Sequence, residues 1–159
     1  MKRGVILLVD ADGDSASLVG AAAGLLHFDL RFTRTSRDFF ELLGNGLGDV
    51  AVIVVDVDPG VHGMALLEAL DAWAPAPPVL VISSLEEAHL RPVAIAHGAE
   101  ECLGKPLSLE RVKNAIAKLA QVSETHPCRC DLWGHPCEGC TERRSAPNEQ
   151  SIPLLVAQD

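Results

Sequence analysis

Three aliphatic runs of this chain each stop on a residue able to do chemistry. Residues 6–9 run into Asp10, residues 52–55 into Asp56 and residues 79–82 into Ser83, and Gly104-Lys105-Pro106 then sets one lysine before a proline. Buried parallel strands read as continuous aliphatic runs, and the functional groups of such sheets gather at the carboxyl ends of the strands. If these runs are parallel strands, two carboxylates, a hydroxyl and an ammonium meet at one edge. That set suits a divalent cation together with a phosphoryl group, since carboxylates hold hard cations and the other two groups serve phosphate oxygens.

The elements that must position these residues alternate along the chain. Val5–Val9 reads as a buried strand, followed by the acidic loop Asp10-Ala11-Asp12-Gly13-Asp14. Ser15 is placed to cap a helix whose apolar positions, Leu18, Val19, Ala22, Leu25 and Leu26, keep the 3.6-residue period. Residues 29–33 alternate in the manner of an edge strand. Ser36 is expected to cap a helix carrying Phe39, Phe40, Leu42 and Leu43, which Gly44-Asn45-Gly46 stops. Residues 50–55 are β-branched almost throughout and form a central strand. A helix over 64–73, a strand over 79–82, a helix over 86–97 interrupted by Pro92, a strand over 101–103 and a Ser108-capped helix with Val112, Ile116 and Leu119 complete the pattern. Five alternations of strand and helix predict an α/β doubly wound five-stranded parallel sheet, flavodoxin-like, with helices on both faces. Right-handed crossovers then bring the acidic loops to one carboxyl edge.

The four polar strand ends, in this order, resemble the receiver domain of bacterial two-component response regulators. The resemblance covers roughly residues 3–120 and includes Gly98-Ala99-Glu100-Glu101 between Ser83 and the Lys105-Pro106 pair. It implies a CheY-like fold and a signalling module, not an enzyme. Asp56 stands at the phosphoacceptor position, with Mg²⁺ neutralising charge on the transferring oxygens. Ser83 is implied to contact the acyl phosphate, and Lys105 to pair with Asp56 at rest and with phosphate afterwards. Asp10, Asp12, Asp56 and Asp58 are the candidate Mg²⁺ ligands, Asp58 through side chain or backbone. A sensor histidine kinase or phosphotransfer protein is the implied donor, and a protein effector or a second copy of the chain the implied output partner.

Three departures from the family pattern stand out. Its acidic pair is two adjacent carboxylates, whereas this loop reads Asp10-Ala11-Asp12, with Ala11 at the second position. The loop after Asp56 is one residue short, the deletion lying between Asp56 and Pro59, and Asp58 falls where its side chain can face the site. Cys102, three residues before Lys105, occupies a position where many receivers carry a switching aromatic. Phosphotransfer and a phosphorylation-independent pseudo-receiver interaction module therefore both stand as readings.

After about residue 120 the aliphatic periodicity ends. Cys128 and Cys130, then Cys137 and Cys140, with His126 and His135 nearby, read as a metal site within a segment over 121–145, followed by a flexible tail over 146–159. Zn²⁺ is preferred to an iron–sulfur cluster, while disulfides or an unstructured tail are the alternatives, and a metal- or redox-sensing scaffold is a third functional reading. The net charge of −9 argues against nucleic acid as a partner. No apolar span of membrane length or signal peptide is evident, which reads as a cytoplasmic protein.

Overall fold

The computed structural model describes residues 3–45, 50–58, 63–72 and 77–125. The four tail cysteines, both tail histidines and Pro59 lie outside the described residues. Five strands form one parallel sheet: β1 (Val5–Val9), β2 (Asp29–Thr33), β3 (Val50–Asp56), β4 (Val79–Ser83) and β5 (Glu101–Gly104). Between them and after them run α1 (Ala16–Leu25), α2 (Ser36–Gly44), α3 (Gly63–Ala72), α4 (Glu87–Ala96) and α5 (Leu109–Thr125). The strand order is β2-β1-β3-β4-β5, every neighbouring pair parallel. The expected α/β doubly wound sheet is therefore the observed fold.

The period-2 alternation of strand side chains divides the core in two. Ile6, Leu8, Val52, Val54, Leu80 and Ile82 pack with α1 and α5 on one face. Leu7, Val9, Ile53, Val55, Val79 and Val81 pack with α2, α3 and α4 on the other. The register pairs Val9 with Val55, Asp56 with Ile82 and Ser83 with Gly104. Their carboxyl ends are held level with one another accordingly.

Several local expectations change. Thr35, not Ser36, caps α2: its backbone is extended and its side chain accepts from the Asp38 amide at 3.1 Å. Two adjacent hydroxyl residues competed for that position, and the acid three residues after Thr35 favours Thr35. Ser15 precedes α1 without a side-chain capping bond. On α1, Val19 and Ala22 are buried, but Leu25 at the helix end is 58 % exposed. Helix α4 begins at Glu87 and accommodates Pro92 within it, giving up one backbone hydrogen bond. Ser108 does cap α5, accepting from the Arg111 amide at 3.2 Å, and that helix continues past residue 120 to Thr125. No helix among the described residues is long and apolar enough to cross a membrane.

Candidate functional site

The level carboxyl ends of the sheet place Asp10, Asp56, Ser83 and Lys105 around one point. Asp10, Asp56 and Ser83 are buried, at 2 %, 2 % and 1 % exposure. Buried polar groups need partners, and no buried side-chain nitrogen or oxygen among the described residues lacks one. Lys105 Nζ supplies much of this, donating to Asp56 Oδ2 at 2.6 Å and to Asp58 Oδ2 at 2.7 Å. Lys105 itself follows β5, its amide donating to the Ser83 carbonyl at 2.8 Å, and a cis peptide bond joins it to Pro106.

Asp58 reaches the site because β3 pairing extends one residue beyond the strand. The Val57 amide donates to the Ile82 carbonyl at 2.9 Å, and the Asp58 amide then turns back to Asp56 Oδ1 at 2.9 Å. Val57 is pressed on the start of α3: a Cβ on Gly63 would lie 2.6 Å from Val57 Cγ1 and 2.7 Å from its Cα. So held, the Asp58 carboxylate faces the end of β4. Its Oδ1 accepts from the Ser83 hydroxyl at 2.8 Å, the Ser84 amide at 2.8 Å and the Ser84 hydroxyl at 3.1 Å.

These environments separate the two carboxylates. Burial pushes the Asp56 carboxyl up, against the opposing hydrogen bonds from Lys105 and the Asp58 amide, and the nearby Asp58 charge adds to the rise. Burial acts upward on Asp58 too, but the bonds from Lys105, the Ser84 amide and the two serine hydroxyls outweigh it and hold Asp58 at about 2. Lys105 is raised, its two carboxylate partners overcoming its own desolvation. The resting site thus contains an ammonium shared by two carboxylates.

The β1 side is sparser. Asp10 Oδ1 accepts the Asp12 amide at 3.1 Å and Oδ2 the Ser15 amide at 2.9 Å, which pins the acidic loop. Ser15 was missed as a site residue. It presents its hydroxyl to Asp56 Oδ2 at 3.5 Å, so Asp10 and Asp56 flank the same serine. Ala11 packs its methyl against the core on the α2–α4 face, and Asp12 is exposed. Among the described residues no group of three His, Cys, Asp or Glu is placed to hold a metal ion. Asp10 and Asp56, both beside Ser15, are two carboxylates of the kind that would hold the implied Mg²⁺, a donor number this cation accepts when water completes its shell. The Asp58 side-chain oxygens accept from Lys105, Ser83 and Ser84.

Ser84 was also missed, although its position directly after Ser83 makes its amide a natural neighbour of the same group. Glu87 is a third. Its carboxylate accepts from the Gly104 amide at 2.8 Å and pairs with Arg111, tying α4 to the end of β5 and to α5. Arg91 and Lys118 converge on Glu101 of the same surface, at 2.8 and 3.2 Å. Beneath them Cys102 is fully buried, so this position carries no aromatic ring to switch.

Comparison with known proteins bears on the same residues. The family model for the response regulator receiver domain matches residues 6–117. Among solved structures, a response regulator from Thermotoga maritima is 19 % identical, with a TM-score of 0.67, covering 76 % of this chain and 99 % of its own. The receiver domain of NtrX from Brucella abortus is 22 % identical, with a TM-score of 0.66 and coverage of 74 % and 99 %. The receiver domain of a putative LuxO repressor protein from Vibrio parahaemolyticus is 22 % identical, with a TM-score of 0.67 and coverage of 77 % and 94 %. At such identities the likeness speaks for the fold alone. No curated protein matches the chain. The family match spans all five strands and every polar strand end around Asp56, and the chain belongs to the response regulator receiver domain family.

Proposed function

We propose that this receiver takes a phosphoryl group on Asp56 and passes the signal on through protein contacts. The observation that carries this reading is the Asp56 carboxylate itself: buried at the end of β3, paired with Lys105 and flanked by Asp10 across Ser15. One Asp56 oxygen attacks the phosphorus of a phosphohistidine on a sensor kinase or phosphotransfer protein. The P–N bond breaks, its electron pair leaves on the imidazole, and an acyl phosphate forms. Lys105 holds the carboxylate ionised before attack and offers its ammonium to the phosphoryl oxygens afterwards. Mg²⁺ bound at Asp10 and Asp56 would supply further neutralisation of the transferring oxygens. Output runs from the end of β5 through Glu87 and Arg111 to the α4 and α5 surface, an ionic link where an aromatic would stand. The partner is a protein effector or a second copy of the chain, and residues 1–120 form the unit that carries the exchange. A cytoplasmic location follows from the proposed kinase partner.

Intact mass after incubation with acetyl phosphate and Mg²⁺ tests this. One phosphoryl adduct is expected on the parent chain and none on Asp56→Asn. A persisting adduct in the variant overturns Asp56 as the acceptor. A folded parent chain without any adduct favours the phosphorylation-independent module.

A further inference from the structure

Every group converging on the Asp58 carboxylate is a donor. Three of them, the Ser83 hydroxyl, the Ser84 amide and the Ser84 hydroxyl, meet on Oδ1, and the Lys105 ammonium meets Oδ2. Three hydrogen-bond donors and a cation around one oxygen pair make an oxyanion site.

Ser83 and Lys105 have partners besides Asp58 that fix their positions. Ser83 is in register with Gly104 on β5, its carbonyl accepts from the Lys105 amide at 2.8 Å, and its hydroxyl also accepts from the Leu85 amide at 3.1 Å. Lys105 keeps Asp56 as a second partner. The sheet therefore builds the site, and the short loop after Asp56 delivers its occupant.

We infer that Asp58 is an internal ligand of this oxyanion site and must be displaced before an external phosphate group can occupy it. A phosphoryl group on Asp56 would need the same donors, and two anions cannot share them without strong repulsion. Asp58 thereby sets how readily the domain responds, a consequence that rests on Asp56 being the acceptor. The occupancy itself does not.

Inorganic phosphate is the probe, titrated into the full chain while the Ser84 amide is followed by nitrogen-15 NMR. Asp58→Ala is expected to bind phosphate saturably and at least tenfold more tightly than the parent chain. Asp58→Asn, which keeps the side-chain volume and loses the charge, is expected to fall between them, and it carries the test if the alanine variant does not fold. Asp14→Ala removes the same charge from an exposed position and is expected to behave as the parent chain does. Equal phosphate affinity in the parent and Asp58 variants overturns the inference, as does an equal gain in Asp14→Ala. Acetyl phosphate labelling is measured on the same samples. A gain in phosphate binding with no labelling in any variant keeps the internal ligand and rejects Asp56 as acceptor. Labelling of the parent chain with unchanged phosphate binding does the reverse.

Discussion

The two halves of the carboxyl edge are built to opposite standards. Around β3, β4 and β5, one ammonium bridges two carboxylates and three further donors close on Asp58. Around β1, a single carboxylate, Asp10, is braced by two backbone amides, with a methyl group at the next position. The anion-binding half is complete and already filled from within. The β1 half offers Asp10 alone beside Asp56. The contrast is one of charge: the Lys105 ammonium is met by two carboxylates, whereas the Asp10 carboxylate is met by backbone amides.

Four substitutions sharpen or break that contrast. Lys105→Met acts on the dense half and leaves Asp56 and Asp58 facing each other with no cation. A loss of about 3 kcal/mol is expected, in line with removing one partner of a buried pair, and the urea midpoint measures it. A small change there would mean that water and the serine donors already neutralise the pair.

Gly63→Ala tests whether the loop is clamped. Backbone lies 2.7 Å from the added Cβ, so overpacking of about 2 kcal/mol is expected, more than the helix propensity it gains. The same variant should disturb the Ser84 amide resonance as Asp58 is pushed aside. An unmoved resonance would show that the loop adapts without moving the carboxylate.

Ala11→Asp adds a carboxylate on the sparse half. Mg²⁺ affinity is expected to rise about tenfold, or 1.4 kcal/mol, read by calorimetric titration. No rise would mean that Asp10 and Asp56 already define the full site. The smallest effect belongs to Ser84→Ala, which removes one exposed hydroxyl and keeps the amide. About 0.5 kcal/mol of stability is at stake, again by urea denaturation, and a loss several times larger would make that hydroxyl the principal anchor of Asp58.

Legibility in the sequence followed the range of the forces involved. Strands β1 and β2 fall at the expected residues, and the aliphatic run of β1 is buried as its pattern implies. On β2 the alternation did not give the buried side, for Phe32 is exposed and Thr33 buried. Helix starts were less legible. Thr35 and Ser36 are adjacent and chemically alike, and the acid three residues after Thr35 is the one sequence signal that separates them, matched by the extended backbone at Thr35. Ser15 read as a cap from its local setting, yet its hydroxyl lies nearer to Asp56, 41 residues away, than to any capping role.

The sequence by itself determined the sheet, the order of its strands along the chain and the polar residue at each strand end. These depend on hydrophobic periodicity and on chain connections within one or two elements. Tertiary structure alone decided which oxygen takes which donor. The bonds of Asp58 span 25 residues to Ser83 and 47 to Lys105, and their formation needed β3, β4 and β5 aligned and Val57 packed on Gly63. A carboxylate two residues after Asp56 is visible in any reading of the chain. That it fills the site, where a solvated loop residue would leave it open, follows only from the packing that points it there.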